Sequence, residues 1–553
     1  MSTIKGTIDN FLYSFIERYT DRVFKDGENT VIHGIKVLEE QTGFTYGALI
    51  HAASIVYVHY VKNNDKRCES ALKKLGFFID IATRSERILT WGKLGILRAL
   101  YKLKKAKLID NIDAEQIRRL AELTDIGDFL DKERIELIKC PTNYFQVALA
   151  CSAYREKLGF DVPSITDKIE KKFIGIAFSE ENFFMDDELG HGRYDRYSLV
   201  LSSEISDLYL DLERPLPKEV KTNLKKCAEY SLFMANSVGD GFNYGRSLSV
   251  HGDLTPAEIL SSALSRGLID EDDRSTALSY IFTILEKTLY FWYNSSKDSF
   301  DIWWDGRTTN GYRQIHRLLE VNMDMVCHFN ALLNNVIYAG YENEPILSKL
   351  PYPEEWEYKK IDYDGVHSAY ILRYKDYLAM LPFIGTKTYA TIASYNPFPA
   401  ICGFVEGSPM SNKPFLIPEY TDKEGNKLRP AHYVKKIEIK RDNEGLLIAA
   451  FGNLMNLDGE FTESEVGYKQ EFLFNKNEIV VEFEVSSEMS SAEMFTAVQN
   501  ESTRILVGGF DDSRIVKILD NDDFKTPHGA YEKAYDHFSK DPQRLGYKIN
   551  FDL

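Results

Sequence analysis

The stretch ENEPILSKLPYPEEWE, residues 342–357, divides the chain into two kinds of sequence. Prolines at 345, 351 and 353 neither continue a helix nor donate to a strand ladder, and the acidic residues around them favour solvent. Upstream, from about residue 8 to about 340, apolar residues recur every three or four positions, the helical period. FTYGALIHAASIVYV (44–58), WGKLGILRALY (91–101), NYFQVALACSAY (143–154), RYSLVLSSEISDLYL (196–210) and the segment 272–292 show it plainly. About ten to twelve helices joined by short polar loops are expected. Downstream, SAYILRY (368–374), HYVKKIEIK (432–440), GLLIAAF (445–451), EIVVEFEV (478–485) and TRILVGG (503–509) are short alternating or β-branched runs. With Asn, Asp and Gly between them they read as an antiparallel sandwich.

The expected fold class is therefore α+β and multidomain: a helical domain over 1–345, a linker over 346–358 and an antiparallel β-sandwich over 359–553. Paired helices without a strict sequence repeat suit a closed (α/α) toroid of helical hairpins better than an open solenoid.

Composition narrows the function classes. The chain has 553 residues, too many for one ordinary core, and 44% of them are hydrophobic. A net charge of -17 argues against nucleic acid as a partner, while leaving room for a local basic pocket. Six scattered cysteines form no CxxC pair, so neither a zinc knuckle nor a disulfide framework is indicated. The amino terminus lacks a basic segment leading into an apolar run, and no stretch reaches the roughly 18 residues that span a bilayer. A cytoplasmic protein without membrane contact is expected.

Four places in the helical half concentrate polar groups that a helical bundle does not need for folding. Asn143 opens a strongly apolar helix, although Asn is also a favoured N-cap. DDELGHGRYDRYS (186–198) crowds His191, Arg193, Tyr194, Asp195 and Tyr197 into a loop and the first turn of a helix. DGFNYGRSLSVHGD (240–253) sets Tyr244, Arg246, His251 and Asp253 among glycines, matching neither a P-loop nor a dinucleotide fingerprint. There Thr255 and Pro256 suit the N-cap and first position of the next helix. WWDGRTTNGYR (303–313) has the composition of a sugar platform, with Trp303 and Trp304 to stack on pyranose rings and Arg307 to reach a carboxylate. Trp is equally common in cores. His316 and His328, on the helix that follows, read as ordinary helix histidines. No His and carboxylate set has metal-ligand spacing, so no metal or other cofactor is expected.

These segments, in a helical domain followed by a β domain, resemble the heparinase II/III and alginate lyase type of toroid enzyme. They are most similar to a poorly characterised bacterial branch of that group. The resemblance implies a carbohydrate-active enzyme that cleaves uronic-acid-containing oligo- or polysaccharide by β-elimination. It assigns Asn143 to neutralising the uronate carboxylate, Tyr197 to base and acid, and His191 to a second neutraliser or proton carrier. Arg193, Tyr194, Tyr244, Arg246, His251, Trp303, Trp304 and Arg307 would bind substrate. Such lyases often add a histidine from the β domain, for which His367, His432 and His528 are available. The partner implied is an acidic oligosaccharide or polysaccharide.

Two other readings remain open. A glycoside hydrolase of the same shape, such as a uronidase, needs two carboxyl groups, and Asp187, Asp195, Asp253 and Asp305 are available. A carbohydrate-binding protein without catalysis would keep the tryptophans and arginines but not need Asn143 or Tyr197.

Overall fold

The computed structural model describes residues 3–38, 43–85, 88–161, 164–178, 196–243, 248–307, 314–347, 349–362, 368–383, 400–402, 416–430, 434–456, 462–498, 502–515, 525–526 and 528–551. Its helical half contains, among those residues, twelve α-helices. They are α1 Ile4–Asp26, α2 Thr45–Lys62, α3 Cys68–Thr83, α4 Thr90–Lys105, α5 Ala114–Leu123 and α6 Tyr144–Leu158. The series continues with α7 Ser164–Ala177, α8 Arg196–Asp211, α9 Lys218–Phe233, α10 Val250–Ser265, α11 Glu271–Lys287 and α12 Leu318–Ala339. Local chemistry sets several ends. The Asp113 carboxylate accepts from the Glu115 and Gln116 N–H groups to start α5, and left-handed glycines at 159 and 340 stop α6 and α12.

The even-numbered helices touch in a closed cycle, α2 to α4, α6, α8, α10, α12 and back to α2, with the odd-numbered helices packed outside them. The hairpins thus close into a double-walled toroid. The six inner helices run parallel. At one end the Arg317 guanidinium, just ahead of α12, lies 5.0 Å from the Phe44 ring at the start of α2, and Trp91 of α4 meets Tyr144 of α6. At the other end Tyr154, in the last turn of α6, donates to Asp211, the last residue of α8, at 3.0 Å.

Glycine is required where α2 crosses α4. A Cβ on Gly47 would stand 2.1 Å from the Gly92 carbonyl oxygen and 2.5 Å from its Cα, both unyielding backbone atoms. Gly47→Ala is therefore expected to lower stability by about 1–3 kcal/mol, measured as a fall in the thermal unfolding midpoint.

Among the described residues the β half holds two large antiparallel sheets and one short two-stranded one, Lys525–Thr526 with Gly529–Ala530. Strands Ala400–Ile401, Tyr377–Phe383, Ser368–Tyr374 and Glu357–Asp362 lie side by side in that order. Their alternating side chains serve two cores, because successive residues of a strand point to opposite faces. Ala369, Ile371, Leu378 and Met380 join the core of the toroid, whereas Tyr370, Leu372, Ala379 and Leu381 join the core of the β half. The second sheet has eleven strands, centred on Leu446–Asn456, Glu463–Phe474 and Glu478–Val485. The connection from α12 is anchored to both halves. Arg373 donates to Pro351 O at 2.6 Å and to Phe233 O at 3.2 Å, and Trp356 donates through Nε1 to Asn475 O at 2.7 Å. Among the described residues no helix is long and apolar enough to cross a membrane.

Candidate functional site

The inner helices turn apolar residues toward the outer ring and toward one another, but on α4, α8 and α12 the stripe that faces the axis carries charged and hydrogen-bonding groups. On α8 it reads Tyr197, Glu204, Asp207, Asp211; on α4 Trp91, Arg98, Lys102, Lys105; on α12 Glu320, Asp324, His328. Spacings of three, four and seven residues put each set on one helix face. Together they enclose a cavity of about 1300 Å³. Keeping charged groups inside a ring of helices costs desolvation free energy, so the stripe is not explained by folding.

Asn143 and Tyr197 both line this cavity. Asn143 is 1% exposed and precedes α6, yet its side chain makes no capping hydrogen bond to that helix. Tyr197 is buried in the first turn of α8, with the Arg196 guanidinium 5.0 Å from its ring centroid. Arg196 is itself held by the Thr255 hydroxyl at 3.0 Å and by Glu258 at 3.5 Å.

His251 lines the cavity as well, and it belongs to a helix rather than a loop. Helix α10 begins at Val250, six residues before Pro256, so Thr255 and Pro256 do not start it as their residue types suggested. The carbonyl of Gly252, which the missing Pro256 N–H leaves without its helical donor, accepts instead from Phe242 N at 2.9 Å. That contact needs glycine, since a Cβ on Gly252 would stand 2.3 Å from the Phe242 oxygen. Ser249, the residue ahead of the helix, takes φ 65°, a strained conformation for a side-chain-bearing residue.

Around His251 lies a cluster absent from the sequence reading. The Asp324 carboxylate is 3.4 Å from Nε2 of His251 and 3.4 Å from Nε2 of His328, while Nδ1 of His328 contacts Glu258. Burial opposes a charge on His328, but Glu258 and Asp324 outweigh it and raise its pKa to about 10. Burial likewise opposes ionisation of Asp324, and His328 and His251 overcome it, holding the carboxyl well below its ordinary range.

Further down α8 the balance is reversed. Burial raises Glu204 to about 7, against the nearby Arg98, and Glu204 Oε2 is a buried oxygen without a hydrogen-bond partner. Burial raises Asp207 to about 6, against hydrogen bonds from Asn335 and Ser262. A carboxyl whose pKa rises on folding adds stability below its unfolded value, about 4, and loses it as pH climbs through the folded value. Glu204→Gln should thus match the parent near pH 4 and exceed its stability above about pH 7, by up to about 3 kcal/mol, in thermal melts across that range.

Several expected site residues lie elsewhere. Asp253 does not line the cavity. Its Oδ1 accepts from Gly241 N at 2.8 Å, and its Oδ2 accepts from Trp292 Nε1 at 2.8 Å and faces Lys287 Nζ at 2.8 Å. Lys287 also pairs with Asp240, and these attractions overcome burial to hold Asp253 well below the ordinary carboxylate range. A carboxylate so committed is an anchor, not an acid–base group. Of the three β-half histidines singled out, His528 approaches it, with Nε2 at 3.7 Å from Asp253 Oδ2 and its ring against Trp292. His367 and His432 fall outside the described residues.

Trp303, Trp304, Asp305 and Arg307 are also away from the cavity lining. The two indoles pack against the toroid core, and Arg307 donates to the carbonyls of Asp301 at 2.7 Å and Phe291 at 3.1 Å. Gly306 next to them abuts Ala530 of the β half. Asp187, His191, Arg193, Tyr194, Asp195, Tyr244 and Arg246 lie outside the described residues. The cavity carboxyls Glu204, Asp207, Glu258 and Asp324 were missed. Their signal was present as charged residues at helical spacing inside apolar helices, but it becomes readable only once the inward face is known.

No protein-family model and no curated protein matches the sequence. Among solved structures the chain is similar to a chondroitinase AC lyase, at 11% identity and a TM-score of 0.51, covering 98% of this chain and 80% of that one. A glycosyl hydrolase family 88 protein from Bacteroides vulgatus overlaps at 10% identity and a TM-score of 0.39, over 60% of this chain and 99% of that one. A heparan sulfate lyase from Pedobacter heparinus overlaps at 9% identity and a TM-score of 0.28, over 98% and 92%. The first of these likenesses establishes the fold, a helical toroid followed by an antiparallel β domain.

Proposed function

We propose that this toroid is a carbohydrate-active enzyme that cleaves uronic-acid-containing oligosaccharides by β-elimination. The observation carrying the proposal is that Asn143 and Tyr197, 54 positions apart in sequence, face one cavity large enough for sugar residues. In the reaction the C5 proton passes to the oxygen of Tyr197 in its phenolate form, a C4=C5 double bond forms, and the C4–O bond breaks. The departing oxygen then takes the proton from Tyr197. The Asn143 amide would hold the carboxylate on which the carbanion charge spreads.

The surroundings suit an acidic substrate. The parallel inner helices aim their N-termini at the end where Asn143, Tyr197 and His251 lie, so the positive ends of six helix dipoles gather there. Arg196 and Arg317 stand at the same end. An intracellular site of action is part of the proposal, supported by six free cysteines, four of them buried.

A hydrolytic reading is favoured by one specific observation. Glu204, raised to about 7, is a proton donor near neutral pH, and Asp324, held well below the ordinary carboxylate range, lines the same cavity. Incubation with uronate oligosaccharides separates the alternatives. Elimination yields an unsaturated, ultraviolet-absorbing product, hydrolysis yields reducing sugar without that absorbance, and a binding protein yields neither.

A further inference from the structure

We propose that His251, Asp324 and His328 form a binding site for a divalent transition-metal ion inside the toroid. The three donor atoms lie within 4.8 Å of one another, and Asp324 Oδ2 is 3.4 Å from each imidazole Nε2. A tetrahedral ion with bonds of about 2.0–2.1 Å needs ligand atoms about 3.3 Å apart. The carboxylate therefore already stands at coordinating distance from each imidazole, and the two imidazole donors are within 4.8 Å of one another.

Rigid elements supply all three groups. Asp324 and His328 are four residues apart on one face of α12, and His251 sits in the first turn of α10. Behind them Glu258, one face of α10 below His251, holds Nδ1 of His328. That contact turns Nε2 toward Asp324, as an outer carboxylate does for a metal-bound imidazole. Glu258 is in turn tethered by Arg196 at 3.5 Å.

The site is closed on one side and open on the other. His251 is 3% exposed, whereas the Asp324 side chain is 44% exposed toward the cavity. Three protein ligands with an open face suit an ion that also accepts an oxygen from solvent or from a sugar acid. Imidazole with carboxylate selects zinc-like ions over calcium or magnesium. This inference stands on the donor geometry and does not require the elimination chemistry.

The test uses the full chain, stripped with a chelator and titrated with Zn²⁺ by calorimetry, without sugar. Co²⁺ absorption in the visible reports coordination directly. One ion per chain is expected, with binding abolished in His251→Ala and Asp324→Asn and retained in His316→Ala. Glu258→Gln should still bind, about 10- to 100-fold more weakly. Matching circular dichroism for each variant establishes that loss of binding is not loss of fold. Failure of the natural chain to take up Zn²⁺ or Co²⁺, or unchanged affinity in folded His251→Ala and Asp324→Asn, overturns the proposal. Because no sugar is present, neither result depends on turnover.

Discussion

Tyr197→Phe is expected to lower kcat on a uronate oligosaccharide by about 10²–10⁴-fold, the usual contribution of a positioned acid–base group, with little change in KM. Phenylalanine retains the ring under the Arg196 guanidinium and the buried packing at the start of α8, so only the reacting oxygen is lost. Asn143→Ala removes the partner of the developing charge and should cost about 10²–10³-fold in kcat. Both are measured by the ultraviolet absorbance of the unsaturated product. If both variants keep full turnover, these roles fail. If Tyr197→Phe is active while Glu204→Gln is not, and the product is saturated, the enzyme is a hydrolase.

Lys287→Met is expected to destabilise the chain by about 3–5 kcal/mol, the cost of breaking a buried ion pair from one side. Lys287 lies between Asp240 and Asp253, all three nearly inaccessible, and Met fills its volume without its charge. Two carboxylates then remain buried without their cation. Removing one of them, in Lys287→Met with Asp253→Asn, should recover part of the loss. The sign with pH follows from Asp253, whose folded pKa is depressed. Its contribution is present above the unfolded value of about 3.9 and fades as pH falls below it, so parent and variant should converge in acid. Denaturant unfolding at several pH values measures this; an unchanged gap in acid would show that the network does not titrate as described.

Much of the architecture was legible because helix and strand leave different periods in the sequence, and the prolines at 345, 351 and 353 mark where one gives way to the other. Alternation in SAYILRY signalled a strand, but it could not reveal that Ala369 and Tyr370 serve different cores. Asn143 was found because it opens an apolar helix, and Tyr197 because polar groups crowd the loop and first turn around it; His251 was noticed among glycines read as a loop, although it lies in the first turn of α10. Glu258, Asp324 and His328 were not found, since only closure of the ring brings α10 against α12. Pro256 misled for a local reason: its lost hydrogen bond is replaced by Phe242, which no pattern along α10 records. Composition alone does not separate a sugar platform from a core, and Trp303 and Trp304 pack against the toroid core.

The strand Ser368–Tyr374 is buried at every position, and the two faces belong to different halves of the molecule. A slip of one residue in its pairing would send Tyr370 and Leu372 into the toroid and Ala369 and Ile371 into the sandwich, spoiling both interiors together. Register in this single strand is thus proofread twice, once by each half. For the same reason the toroid and the sandwich are expected to melt as one cooperative body, and a chain cut in the 342–357 connection would leave an apolar sheet face bare on one fragment and an uncovered core on the other.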